Sequence, residues 1–304
     1  MIDFSVLICT YNRPAMLKLA LSALIEKADV RPDEIVVVNG GGPDADDVVS
    51  RFRQSAVSHG VEITLVQTKN INLATSRNIG LGRCRGDIVA LTDDDAEVFP
   101  DWVLRMKAAH KGHPEAGAVG GPVLGAGSAT DLISRLSDLV TFPDAQQPGY
   151  VRTVPGVNVS YKRVVLEKIG GQDESLFRGE DVDFNWRVRK AGYKVYFDPT
   201  VKVIHHHRPD LMQFLRQHYM YGRAYYLVRH KWPDMYCVYP RQLRSLRDVL
   251  KGIHFFLAAV YEPALYASRL KSVRDKITAW PILFINQCVW RGGMIVQRLL
   301  RENR

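Results

Sequence analysis

Three adjacent carboxylates, Asp93, Asp94 and Asp95, are the residues in this sequence best suited to chemistry. Side by side they repel one another unless a cation offsets them. Asp93 and Asp95 have the Asp-x-Asp spacing in which one carboxylate reaches a nucleotide ribose and the other a metal ion. Hard divalent cations choose carboxylate oxygens and keep positions open for phosphate oxygens. The plain alternative is a solvated acidic turn or a helix N-cap. A second acidic pair, Glu180-Asp181, follows Arg178-Gly179, and His205-His206-His207 follow a strand-like segment over 194–204. Neutral imidazole is a metal ligand, although an exposed polar strand end explains a histidine run as well.

The elements that must position these groups are legible as alternating runs. Phe4–Cys9 reads as a buried strand, Thr10-Tyr11-Asn12-Arg13-Pro14 as a loop, and Leu17, Leu21 and Leu24 as one helical face. Glu34–Val38 is a second strand ending in the turn Asn39-Gly40-Gly41-Gly42-Pro43-Asp44. Val61–Gln67 (strand), Ala74–Cys84 (helix) and Asp87–Leu91 (strand) continue the alternation into the aspartates. Such alternation predicts a parallel sheet covered on both faces, and such sheets bind ligands at the carboxyl ends of their strands. Thr10-Tyr11, Asn39 and the three aspartates all fall there, which points to a nucleotide site.

Further along the chain, Thr153–Tyr161 resumes strand character. Val182, Phe184, Trp186 and Val188 alternate as in a strand, whereas Gly192 after a basic run reads as a helix C-cap, so both readings stay open. Gly40-Gly41-Gly42 lacks the Lys-Ser/Thr of a P-loop. His110 and His113 read as surface helix residues and Trp102 as core.

The chain has 304 residues, 46% hydrophobic and 24% charged, which is ordinary for a globular protein. Its charge is unevenly placed. Residues 1–200 hold 23 Lys+Arg against 26 Asp+Glu, and residues 201–304 hold 18 against 6. A cationic region of this kind attracts nucleic acid or anionic headgroups. No nucleic-acid motif accompanies it, so nucleic acid is not an expected partner. Residues 211–304 are helical in pattern, with apolar stretches at Ile253–Tyr261 and Ile277–Val296. The second is about as long as a ~20-residue bilayer crossing but contains Arg291, which is costly in hydrocarbon. An interfacial or re-entrant amphipathic region is the better reading, with Arg291 and Arg298 snorkelling to headgroups. Cys9, Cys84, Cys237 and Cys288 are far apart, with no metal-knuckle spacing, and no signal-peptide pattern precedes Phe4. A reduced, cytoplasmic location at the inner face of the cell membrane is expected.

The segments FSVLICTYNRP, PDEIVVVNGGGPD, NLATSRNIGLGRCRGDIVALTDDDAEVFPDW, VPGVNVSYKR, IGGQDESLFRGEDVDFNWRVRKAGYKVYFDP and VIHHH run in this order over about two-thirds of the chain. Together they resemble family 2 glycosyltransferases, the inverting family with the GT-A fold. The resemblance implies a GT-A-type α/β domain over 1–210, with a mostly parallel central sheet, and a basic helical region over 211–304. It implies transfer of a sugar from a nucleoside-diphosphate sugar to a glycan or lipid-linked acceptor, as in cell-surface polysaccharide or glycolipid synthesis. A catalytically silent sugar-nucleotide-binding or scaffold protein of the same fold is the alternative. Thr10 and Tyr11 would flank the nucleobase. Asn39 stands where the family usually has a base-binding aspartate, a departure that leaves the base open. Arg77 and Asn78 match an Arg-Asn beside the nucleotide, and Asn158 matches an Asn that contacts donor sugar or acceptor. Asp93 and Asp94 would serve the donor, while Asp93, Asp95 and His205, with His207 second, would hold Mg²⁺ or Mn²⁺. Asp181 matches the catalytic base, and Glu180 would orient the acceptor or its loop. Peripheral membrane contact is expected, and an oligomer is compatible with the sequence.

Overall fold

The computed structural model describes residues 3–126, 131–142, 147–206, 210–235 and 245–302. These divide into two compact units, one of residues 1–126 and 142–207 and one of residues 127–141 and 208–304.

The first unit is built on an eight-stranded sheet. Its strands are β1 (Phe4–Thr10), β2 (Glu34–Asn39), β3 (Glu62–Gln67), β4 (Ile88–Asp93), β6 (Ala116–Gly120), β8 (Gly149–Val151), β9 (Val159–Lys162) and β10 (Lys194–Phe197). The order is β3-β2-β1-β4-β9-β6-β10-β8. β9 runs antiparallel to both its neighbours and β8 antiparallel to β10; the other pairings are parallel. Along β1 and β2 successive side chains enter opposite cores. Val6, Ile8, Ile35 and Val37 pack with α1 (Pro14–Ile25), α2 (Asp44–Ser58) and α4 (Trp102–Gly112). Leu7, Val36 and Val38 share the other face with Tyr161, Phe184 and Val188. Burial on both faces is why these strands are apolar runs rather than alternating ones.

Parallel registry aligns the strand ends. Thr10 pairs with Asn39 across β1 and β2, and Cys9 with Asp93 across β1 and β4. A small second sheet, β5 (Ala96–Val98), β11 (Val203–His205) and β7 (Val123–Gly125), sets β11 in the middle and opposes His205 to Ala96. The strand-like segment 194–204 is therefore parts of two strands in different sheets, separated by a turn in which Asp198 Oδ1 accepts from the Thr200 N–H and hydroxyl.

The ambiguous stretch after Asp181 is helix α7 (Glu180–Lys190). Gly179 caps it at φ 77°, a left-handed conformation that glycine adopts without strain. Glu180, Asp181 and Asp183 occupy its first turn and Arg187, Arg189 and Lys190 its last, the arrangement that the helix dipole favours. These end charges, with the Asp183–Arg187 pair at i,i+4, outweigh the period-2 alternation. His110 is also placed differently from the surface position that its helix suggested. It is 5% exposed, with Nε2 2.9 Å from Ser160 Oγ, because β9 lies under α4.

The second unit contains α5 (Leu132–Thr141), α8 (Leu211–Lys231), α9 (Leu246–Ser268) and α10 (Val273–Glu302). α8 and α10 pack backbone to backbone. A Cβ on Gly222 would lie 1.9 Å from the Trp290 carbonyl oxygen, and one on Gly293 2.2 Å from that of Tyr219. Arg291 does not snorkel outward. It is buried, donates Nε to the Phe255 carbonyl at 2.7 Å and pairs with Glu262 at 3.2 Å. Among the described residues no helix is long and apolar enough to cross a membrane.

Candidate active site

β4 delivers Asp93 as its last residue, and the chain turns at Asp94-Asp95 into β5. The turn sends the three carboxylates in different directions. Asp94 points inward and is 4% exposed; it accepts the Thr10 hydroxyl at 2.8 Å and Arg13 Nη1 at 3.1 Å. Burial pushes its carboxyl up to about 6, against the pull of Arg13 and Thr10. Asp94 and Thr10 thus pin the β1 loop to the acidic turn, and neither side chain is open to a donor as the sequence suggested.

Asp95 is paired with Arg13 and with His205, whose Nε2 lies 3.1 Å from Oδ1. Burial alone would raise the Asp95 carboxyl, but the His205 hydrogen bond and charge, with Arg13, hold it below its usual value. Registry of β11 against β5 brings His205 here from the far end of the unit, and the His206 N–H secures it by donating to the Asp95 carbonyl at 2.9 Å. One ligand atom from each of Asp93, Asp95 and His205 lies within 4.8 Å of the others. That is close to twice a metal–ligand bond of roughly 2.0–2.4 Å. Two carboxylate oxygens and one imidazole nitrogen form a donor set that fits a divalent cation. His207 lies outside the described residues.

Arg77, on α3 (Leu73–Leu81), connects this cluster to the second acidic motif. It is 3% exposed, so it is no solvated helix charge. Its Nη2 is 3.0 Å from Asp93 Oδ1 and its Nη1 3.0 Å from Glu180 Oε1. Glu180 is buried. Desolvation and the neighbouring Asp181 charge push its carboxyl up to about 7, with Arg77 opposing. Asp181 is half-exposed. Its Oδ2 accepts the Gly156 N–H at 3.0 Å and its Oδ1 the Val182 N–H at 2.8 Å, which fixes the carboxylate. Gly156 must be small: a Cβ there would lie 2.9 Å from both Arg77 Nη1 and Asp181 Cβ.

Three amide side chains read as ligand contacts are instead committed to the protein. Asn39 is fully buried; its Oδ1 accepts from Gly41 N–H at 2.8 Å and its Nδ2 donates to the Gly42 carbonyl at 2.9 Å. It shapes the glycine turn, and its amide is shielded from a base. Asn158 is also fully buried. Trp102 Nε1 donates to its Oδ1 at 2.8 Å, and its Nδ2 donates to the carbonyls of Pro122 and Val201 at 3.0 and 2.8 Å. Both of its donors and one acceptor position are occupied within the fold, and its full burial keeps it from a donor sugar. Asn78 binds the 172–174 loop through the Gln172 N–H and carbonyl and Glu174 Oε1. Tyr11, 50% exposed at the mouth of β1, is free to stack on a planar ring.

Arg13 and Glu174 were not anticipated. Three adjacent carboxylates demand a cation, so charge balance could have pointed to Arg13 in the neighbouring loop. Glu174, which also accepts from the Thr75 hydroxyl at 3.0 Å, carries no local signal.

The chain is similar to several known proteins. Residues 88–290 match the family described as Glycosyl transferase family group 2. The pre-mycofactocin glycosyltransferase of Mycobacterium tuberculosis is 27% identical over 244 residues, covering 76% of this chain and 48% of that protein. The succinoglycan biosynthesis protein ExoM of Rhizobium meliloti is 29% identical over 204 residues, 64% of each chain. The chain thus spans about half the length of the mycobacterial relative. Among solved structures, mannosyltransferase PcManGT from Pyrobaculum calidifontis, in complex with GDP-Man and Mn²⁺, superposes with a TM-score of 0.66 at 17% identity. That match covers 98% of this chain and 89% of the other. S. aureus TarS 1-349 in complex with UDP gives 0.56 at 15% identity, covering 99% and 92%. These likenesses establish the GT-A fold. With residues 5–170 matching the family described as Glycosyl transferase family 2, more than half of its length, the chain belongs to glycosyl transferase family 2.

Proposed function

We propose that this chain transfers a sugar from a nucleoside-diphosphate sugar to a hydroxyl of a glycan or lipid-linked acceptor, with inversion at the anomeric carbon. The observation that carries this reading is the bridge from Asp93 through Arg77 to Glu180, which sets a metal-competent cluster and an anchored carboxylate, Asp181, around one guanidinium. Asp93, Asp95 and His205 would hold a divalent ion, which when bound supplies positive charge to the departing diphosphate. Arg77 holds Asp93 in place from the buried side. Tyr11 offers a ring face to the base. Asp181 takes the acceptor hydroxyl proton as the oxygen forms its bond to the anomeric carbon. The bond from that carbon to the diphosphate oxygen breaks, and its electron pair leaves with the nucleoside diphosphate. The two backbone N–H groups on Asp181 keep the carboxylate aimed while it receives the proton.

The similar proteins favour this class. One is named for glycosylation of pre-mycofactocin and another for succinoglycan biosynthesis, and the solved neighbours hold GDP-Man or UDP. The reading extends to cell-surface polysaccharide or glycolipid synthesis at the inner face of the membrane. A screen of nucleotide sugars, reading nucleoside diphosphate release with and without EDTA, tests it. Release from one donor that EDTA stops is expected. Failure with every donor in the presence of Mn²⁺ and Mg²⁺ would overturn the reading.

A further inference from the structure

The outer face of α9 is apolar and uncovered. Leu246, Val249, Leu250, Ile253, Leu257 and Val260 recur at spacings of three and four, so they form one stripe along the helix. All are between 42% and 74% exposed, and Phe256 beside them is 63% exposed. Val260 lies 14 residues beyond Leu246, so the stripe runs about 21 Å at the ~1.5 Å rise of a helix. The opposite face is already used: Phe255, Ala258 and Ala259 are buried within the unit. A surface helix ordinarily turns polar residues outward, and contiguous apolar patches above a few hundred Å² mark an interaction site.

Charge selects the occupant. Arg247 and His254 flank one edge of the stripe, whereas Lys251, Asp248 and Glu262 lie toward the buried side of the helix, so a cationic head borders the apolar face. Residues 201–304 carry 18 Lys+Arg against 6 Asp+Glu. A second copy of this chain would bring that same positive charge against itself, whereas anionic headgroups oppose it. Among the described residues no helix is long and apolar enough to cross a bilayer; a helix with one apolar face and a charged edge is of the kind that lies in the interface.

We propose that α9 docks on an anionic lipid surface, with Ile253, Phe256 and Leu257 among the acyl chains and Arg247 at headgroup phosphates. This gives the lipid-linked acceptor reading a specific membrane-facing surface, and it rests on that reading for its purpose but not for its test. Binding to vesicles needs neither donor nor acceptor.

The test is flotation of the full chain with vesicles of phosphatidylcholine alone or of equimolar phosphatidylcholine and phosphatidylglycerol, at ~0.1 and ~1 M salt. The chain should float with the anionic vesicles and remain partly bound at high salt, because apolar insertion outlasts screening. The double variant Ile253→Asp/Leu257→Asp should bind at least about ten-fold less. Both positions are exposed, and an unchanged thermal melt identifies a folded variant; Phe256→Ser is the second probe if the pair fails to fold. Absence of flotation with either vesicle overturns the proposal, as does flotation that neither variant alters. Self-association in sedimentation velocity that the variants abolish, without flotation, assigns the stripe to a second copy and overturns it too. Diphosphate release from a donor by a chain that does not float would overturn the surface and leave the enzymatic reading standing. Flotation without any sugar transfer would do the reverse.

Discussion

Asp93 and Glu180, far apart in sequence, are held by the two terminal nitrogens of one buried guanidinium, each at 3.0 Å from Arg77. Among the described residues, Arg77 is the cation paired with each of them. The metal-competent turn and the helix that carries Asp181 are therefore mechanically one site, and a change at Arg77 is felt by both.

Replacing Arg77 is expected to destabilise the chain as well as inactivate it. Arg77→Ala removes the cation that Asp93 and Glu180 share; Glu180 then takes up a proton, and the loss is that of buried hydrogen bonds left unmade, about 1–3 kcal/mol. Arg77→Lys recovers only part, because one ammonium cannot span two carboxylates as a guanidinium fork does. Denaturant unfolding measures both variants. A midpoint equal to wild type for Arg77→Ala would show that the bridge contributes nothing.

Asp181→Asn should fold and bind donor but lose sugar transfer by roughly 10²–10⁴-fold, the usual worth of a general base. Its carbonyl oxygen can still accept the Gly156 N–H, so the loop is preserved. Transfer at the wild-type rate would assign Asp181 another role.

Asp95→Ala removes a carboxylate from the set formed with Asp93 and His205. Calorimetric titration with Mn²⁺ should show binding in the wild type and at least about ten-fold weaker binding in the variant. Unchanged Mn²⁺ affinity would place the metal elsewhere.

Gly156→Ala inserts a methyl 2.9 Å from both Arg77 Nη1 and Asp181 Cβ. That distance forces one of them to move. Transfer should fall by about 10²-fold, the scale of a ~1 Å misplacement of a reacting group, with a modest drop in melting temperature. Equal activity would mean that the position of Asp181 tolerates adjustment.

Glu180 gives the stability a pH dependence of definite sign. Its carboxyl titrates near 7 in the fold against 4.5 ordinarily, because burial and the Asp181 charge favour the protonated form. The folded state therefore holds the proton more tightly. The associated stability is fully present below about pH 4.5 and is lost as pH rises through the raised folded-state value. Unfolding of wild type and Glu180→Gln across this window should give a wild-type-minus-variant difference that declines with pH. A flat or rising difference would contradict the assignment.

The sequence by itself determined the alternation of apolar runs and helical faces over residues 4–93, and hence a parallel sheet with its loops at one edge. Phe4–Cys9 and Glu34–Val38 are apolar because both sheet faces are covered, and that is a local, repeating constraint. The same locality made Asp93, Asp94 and Asp95 conspicuous. It could not say which of them faces a ligand, because that depends on partners distant in the chain: Thr10 and Arg13 draw Asp94 inward, and Arg77 holds Asp93. Only the tertiary structure decided that the amides of Asn39 and Asn158 are consumed within the protein, since their partners are set by turn geometry and by strands from elsewhere. It also decided 182–188, where period-2 apolar spacing misleads and end charges and a left-handed Gly179 make a helix. His205 reaches Asp95 only because β11 pairs with β5. Hydrophobic periodicity is written residue by residue, whereas hydrogen-bond satisfaction in a buried site belongs to pairs that meet only when the sheet closes.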